Sequence, residues 1–249
     1  MGDLRAGSAP HHVGLGHHHR DGRRIGDVEL ARRVRCVPRR GRVGAERVTG
    51  RLIVFEGADA SGKSTQARRL ASRLGAELTF QFGATEIGSA IRSILLDPAH
   101  AALDDRAEAL LVIADKAQHV AEIVGPALER GDTIVSDRYT ASSTAYQGYG
   151  RGLDLDQLDA MMRFATHGIE PDLTVLLDVE WSVARVRLGD QMDRIEGAGA
   201  AFHTRVRNGY LELAAADPDR WLVVDADGTV DEVAARVDTV VEAWLAANP

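Results

Sequence analysis

The octapeptide Gly57-Ala58-Asp59-Ala60-Ser61-Gly62-Lys63-Ser64 constrains this 249-residue chain more than any other stretch. It fits G-x-x-x-x-G-K-[ST]. It also joins a short apolar run, Leu52 to Phe55, to a segment where Ala67, Leu70, Ala71 and Leu74 recur at helical spacing. Strand, glycine turn and helix in that order make a cradle for phosphate. Glycines are needed because backbone N–H groups must turn inward and approach phosphate oxygens closely, which a Cβ would obstruct. The helix aims its positive N-terminal end at the same anion. Gly57 to Ser64, with Thr65, would then surround the phosphates of ATP. Lys63 would neutralise the β- and γ-phosphates, and the Ser64 hydroxyl would ligate Mg²⁺.

Further short apolar runs, Leu78 to Phe80, Thr133 to Val135, Leu173 to Leu177 and Trp221 to Val224, read as buried strands. Helical spacing fills the intervals. It covers Ile87 to Leu96, closed by Pro98, and Leu103 to Arg130, bent where Gly125 and Pro126 fall. It returns from Leu155 to His167, Trp181 to Leu188, Ala198 to Ala215 and Val230 to Leu245. A glycine-rich loop is expected from Gly148 to Gly152. Strands alternating with helices predict an α/β protein with a five-stranded parallel sheet covered on both faces, the P-loop NTPase fold.

A phosphate loop identifies a nucleotide-binding fold and leaves the reaction open. Other motifs choose it: Phe55-Glu56-Gly57, Ala114-Asp115-Lys116-Ala117-Gln118-His119, Ser136-Asp137-Arg138-Tyr139, Ala145-Tyr146-Gln147-Gly148 and Asp193-Arg194-Ile195-Glu196, followed by Phe202, Arg205 and Tyr210-Leu211-Glu212-Leu213. In this order and spacing they resemble the bacterial thymidylate kinase family over residues 51 to 245. The resemblance implies a nucleoside monophosphate kinase that moves the γ-phosphoryl group of ATP onto a deoxynucleoside monophosphate, dTMP first among them, in a homodimer. By the same resemblance Asp137 helps Ser64 organise Mg²⁺ and Arg138 holds the acceptor phosphate. Asp59 lies near the acceptor sugar and phosphate, and Tyr146, followed by Gln147, lies against the sugar and disfavours a ribose 2′-OH. With Ala at position 60, the loop cannot supply the arginine that stabilises the transferring group. That role passes to a lid at residues 185 to 196, with Arg187 and Arg194 as the candidates.

Three departures bear on the acceptor. Val112 stands where the family usually has a Phe that stacks on thymine, and Lys116 where it has an Arg that recognises the base edge. A flat platform is lost and a bidentate fork becomes a point charge. The stretch from Thr79 to Gly88 lacks the Arg and Glu of the Arg-Glu-Pro-Gly-Gly-Thr found in many relatives. Phe80 or Phe82 either restores an aromatic wall or belongs to the core, and Arg92 becomes an additional phosphate contact. Two rivals stay open: a kinase of a different or modified pyrimidine monophosphate, and a noncatalytic ATP-binding protein.

Composition divides the chain. Residues 1 to 47 hold eleven Arg, five acids, five of the nine His and the single Cys36, for a net charge of +6; residues 48 to 249 carry −13. The head is read as a disordered or spurious extension, translated from a misplaced start, with a disordered basic tail, a targeting peptide and a loose His-metal site as rivals. The kinase unit is residues 48 to 249. Its acidity argues against nucleic acid, and no apolar run approaches the roughly 18 residues of a membrane span. A lone cysteine reads as a reducing compartment or indifference to redox state, and with no secretory h-region after the N-terminus the expected localisation is cytoplasmic. Lysine occurs only at Lys63 and Lys116, against 28 Arg, so each lysine calls for a local reason.

Overall fold

The structure is a computed structural model that describes residues 50 to 190 and 192 to 248. The expectations placed on residues 1 to 47 lie outside the described residues. Five strands, β1 (Arg51–Gly57), β2 (Glu77–Phe80), β3 (Thr133–Asp137), β4 (Leu173–Asp178) and β5 (Trp221–Asp225), form one parallel sheet in the order β2-β3-β1-β4-β5. The helices are α1 (Lys63–Leu74), α2 (Glu86–Leu96), α3 (Asp105–His119), α4 (Gly125–Glu129), α5 (Thr140–Ser143), α6 (Leu155–Thr166), α7 (Trp181–Leu188), α8 (Ala200–Ala216) and α9 (Val230–Ala247).

The central strand β1 reads as an unbroken apolar run because both of its faces are covered. Ile53 and Phe55 pack with Leu70 of α1 and Val237 of α9, while Leu52 and Val54 meet Val124, Leu128 and Tyr139 on the other side. Helix starts follow the polar residues before them. Thr85 accepts from Gly88 N, Asp104 from Arg106 N and Asp154 from Gln157 N, and Thr229 with Glu232 forms a reciprocal capping box on α9.

Two readings need correction. The stretch ending at Arg130 is not one regular helix: a π-helical turn at Val120–Val124, in which Gly125 N bonds to Val120 O, leads into Gly125-Pro126. The widened turn relieves the clash that the Pro126 ring would make with the carbonyl four residues back in a regular helix. The expected glycine loop at Gly148 is a π-helical segment, Thr144–Gly150, continuous with α5. Its glycines serve close packing: a Cβ on Gly150 would sit 2.6 Å from the Phe202 ring of α8. Among the described residues no helix is long and apolar enough to cross a membrane.

The register aligns Phe55 of β1 with Asp137 of β3, so both strands end at one edge of the sheet. The chain leaves β1 toward β2 on one side and crosses to β4 on the other, which opens a crevice at the carboxyl ends of the strands. Leu70 is 1% exposed in the core beneath that crevice. Leu70→Ala is expected to lower unfolding free energy by about 2–5 kcal/mol with an unchanged urea m-value, measured by equilibrium denaturation.

Candidate active site

The loop between β1 and α1 turns under the sheet edge. Gly57 has φ 141°, and a Cβ there would run into the Leu177 carbonyl of β4, so the strand can enter the loop only with glycine. Lys63 is buried at the start of α1, its Nζ 2.6 Å from Ala58 O and 3.4 Å from Ser61 Oγ. Burial, and then the nearby charge of Arg138, pushes the Lys63 ammonium down to about 8. Ser64 Oγ donates to Asp137 Oδ2, and Asp137 Oδ1 is buried without a partner. A hydroxyl and a carboxylate with one unsatisfied oxygen, set at a phosphate cradle, form a hard-oxygen donor pair suited to Mg²⁺.

Beside the loop, Arg138 occupies a left-handed backbone position, φ 71°, with its N–H on Phe55 O at 2.8 Å. Its guanidinium donates to Asp59 Oδ1 at 2.5 Å, Gly57 O at 3.1 Å and Ser142 Oγ at 3.0 Å, and lies 5.1 Å over the Tyr146 ring. Tyr146 OH donates to Asp59 Oδ2 at 2.7 Å. Burial pushes the Asp59 carboxyl up, but Arg138, Lys63 and the Tyr146 hydrogen bond outweigh it and hold Asp59 below the usual carboxylate range. Glu56, fully buried, underlies this group by accepting from Tyr139 N at 2.9 Å, Ser142 Oγ at 2.6 Å and Tyr210 OH at 2.9 Å.

Two cavities meet here. One, of about 630 Å³, runs from Lys63, Ser64 and Asp137 past Arg68 and Phe80. The other, of about 130 Å³, is walled by Phe82, Val112, Lys116, Tyr146 and Gln147. Asp59, Gln81, Arg92 and Arg138 line both. Phe82, not Phe80, supplies the aromatic wall of the smaller cavity, with the Arg92 guanidinium 5.3 Å over its ring and bonded to Phe82 O at 2.9 Å. Lys116 is 1% exposed and donates to Gln81 Oε1 at 2.8 Å and Tyr139 O at 2.9 Å, which leaves its third N–H for the cavity. Since a lysine only donates, the Gln81 amide turns its NH₂ to His119 Nδ1 at 2.8 Å, and His119 Nε2–H donates to Thr79 Oγ1 at 2.7 Å. Burial and the Lys116 charge push His119 down to about 4, so the ring is neutral near pH 7.

Sequence reading missed two members of this site. Ser143 Oγ is buried without a partner and lines the smaller cavity; its spacing of three from Tyr146 was the available signal. Glu108 is fully buried and accepts from Gln147, Arg151 and Arg194. Its place four residues before Val112, on the same helical face, could have marked it. The lid arginines also part company. Arg187 donates to Ala226 O at 3.1 Å and reaches Ala60 O of the loop at 3.5 Å. Arg194 is turned to other partners here, held 2.7 Å from Glu108 and 2.8 Å from Leu95 O.

A phosphate loop opening onto one cavity, a mixed apolar and polar pocket beside it, and arginines where the two meet define a P-loop kinase acting between two phosphate-bearing ligands. Comparison with known proteins narrows this class. A family model described as thymidylate kinase matches residues 55–237. The chain is 46% identical over 204 residues to a thymidylate kinase of Solidesulfovibrio magneticus, spanning 76% of this chain and 98% of that one. It is 45% identical over 209 residues to that of Clavibacter michiganensis, spanning 81% and 99%. A crystal structure of thymidylate kinase from Ehrlichia chaffeensis matches with a TM-score of 0.65 at 28% identity, covering 77% of this chain and 98% of that chain. The chain belongs to the thymidylate kinase family.

The depressed Lys63 ammonium sets a pH dependence. Below about pH 8 Lys63 keeps its proton and meets phosphate as a cation; above it the charge is lost. ATP dissociation constants from calorimetry are expected to rise above pH 8, toward about tenfold per pH unit, whereas Lys63→Arg binds more weakly but without that slope. A flat wild-type profile would reject the assignment of Lys63 to the phosphates.

Proposed function

We propose a residue-level account of catalysis for this member of the thymidylate kinase family, which transfers the γ-phosphoryl group of ATP to dTMP and yields dTDP. The observation that carries it is the junction of the two cavities at Asp59, Arg92 and Arg138. ATP lays its phosphates along Gly57 to Thr65 with Lys63 at the β- and γ-groups. The acceptor base lies against Phe82 and Val112, near the free N–H of Lys116 and the Ser143 hydroxyl. Its phosphate reaches Arg92 and Arg138. Two polyanions are thus brought into line across a short gap where fixed cations offset their repulsion.

Ser64 and Asp137 are the residues that would hold Mg²⁺, which when bound neutralises phosphate charge as it develops. Asp59 orients Arg138 through its short ion pair and Tyr146 through the hydroxyl. Arg187, tied between the loop after β5 and Ala60, is the lid cation closest to the donor phosphates. The kinase unit is residues 48 to 249, acting in the cytoplasm.

Homodimerisation has a surface to support it. Ile87 and Ile94 of α2, Leu110 of α3 and Phe164 of α6 are exposed, Phe164 by 85%. These helices are neighbours, and an apolar patch of this kind marks an interaction face. Phe164→Glu is expected to convert a two-chain species to a single chain in light scattering; an unchanged mass would reject this face.

A coupled ADP assay over dTMP, dUMP and their ribose counterparts tests the pocket. Arg92→Ala is expected to raise the KM for dTMP by about 10–100-fold with the KM for ATP nearly constant. Tyr146→Ala is expected to cut discrimination against the 2′-OH by about tenfold, while Tyr146→Phe, which keeps the ring, preserves most of it. If neither substitution moves an acceptor parameter, the smaller cavity is not the acceptor site.

A further inference from the structure

We infer that Glu108 is a positioning residue that couples recognition of the acceptor to docking of the lid, through one carboxylate shared by Gln147 and Arg194. Glu108 Oε1 accepts from Gln147 Nε2 at 2.9 Å and Arg151 Nε at 3.2 Å. Glu108 Oε2 accepts from the other end of Arg151 at 2.9 Å and from Arg194 at 2.7 Å. The carboxylate is 0% exposed. Three separate pieces of chain therefore converge on it: α3, the π-helical segment with the residues just after it, and the segment following α7.

Each connection has a consequence in the pocket. An ionised carboxylate only accepts, so the Gln147 amide must turn its NH₂ toward Glu108, which leaves its carbonyl oxygen as the group it offers to the ligand. Arg194 is 7% exposed, and its backbone N–H is bonded to Leu96 O at 3.2 Å. Docked in this way, its neighbours Asp193, Ile195 and Glu196 close the same cavity that Gln147 lines. Burial pushes Glu108 up, but Arg151, Gln147 and Arg194 outweigh it and keep the carboxyl below its ordinary range. When the lid leaves, a buried anion loses one of its two cations, and the cost of that loss links the lid to the orientation of Gln147.

The inference rests on the smaller cavity being the acceptor site, and the experiment separates the two. In the full chain, Glu108→Gln is expected to raise the KM for dTMP about tenfold while leaving the KM for ATP within about twofold. With dTMP present, trypsin is expected to cut after Arg194 about tenfold faster in the variant, while cleavage after Arg73 and Arg163, inside α1 and α6, keeps its wild-type rate. Arg194→Gln should reproduce the dTMP effect, and the double variant should be no worse than the worse single one. Equal acceleration at every arginine, or independent effects that multiply, would overturn the coupling and leave Glu108 a packing residue. If Glu108→Gln does not fold, Arg194→Gln alone decides, with cleavage after Arg187 as the lid readout. A raised dTMP KM in Arg92→Ala alongside an unmoved one in Glu108→Gln sinks the coupling alone. No change in either sinks the pocket.

Discussion

Arg138 brings a full positive charge into a corner of the molecule where little water reaches, its side chain 14% exposed against 21% for Asp59. Removing a guanidinium from water costs several kcal/mol unless its donors are met, so the surrounding geometry has to provide acceptors on every side. It does so with Asp59, the Gly57 carbonyl, Ser142, Tyr146 and Tyr210, and it places Glu56 one layer below. Those residues come from the phosphate loop, α5, the π-helical segment and α8. Meeting the needs of one cation therefore fixes where the donor loop stands relative to the acceptor pocket. The left-handed backbone at Arg138 belongs to the same arrangement, because it turns the chain at the end of β3 so that the side chain points back across β1.

Legibility in the sequence followed the range of the interaction. The phosphate loop, the strands and the helices were readable because their causes lie within a few residues: a glycine turn, an apolar run, apolar residues recurring at helical spacing. The π-helical turns were not, since each is a compromise between a local obstruction and distant packing. Gly148 and Gly150 look like loop residues until Leu155 of α6 is brought against the first and Phe202 of α8 against the second. Glu108 and Arg194 are 86 residues apart, and neither residue alone suggests the other. The family pattern located Arg194 in the lid, but only the fold shows that its charge is already committed to a buried carboxylate.

The altered acceptor stretch becomes intelligible once the side chains are placed. Phe82, packed against the apolar cluster that includes Val112, supplies a ring to the pocket, with Arg92 stacked upon it. Lys116 lacks the flat fork of an arginine, yet it is anchored through two of its three donors, and the third is aimed by that anchoring. Gln81 mediates between Lys116 and the neutral His119, so the stretch that lost its charged residues gained a neutral hydrogen-bonded chain ending at Thr79. Both lysines of an arginine-rich chain lie buried at the two ends of the site, and burial pushes both down to about 8. A compact ammonium with three freely oriented donors fits confined positions that a planar guanidinium would overfill.

The lid segment then acquires two anchors of different character. Arg187 is held by backbone carbonyls near the phosphate loop and, 3.8 Å away, by the exposed carboxylate of Asp227, contacts that a phosphate can outcompete. Arg194 is held by a buried carboxylate that a phosphate cannot easily replace, because releasing it would strand Glu108. On the proposed assignment the end at Arg187 is therefore the easier to release and the end at Arg194 the more costly. Where residues 48 to 249 carry a net charge of −13, this division would let few cations serve the two anionic ligands of the proposed site. On the proposed reading it also gives an order to opening: the end at Arg187 releases first, and the end at Arg194 leaves only at the cost of stranding Glu108.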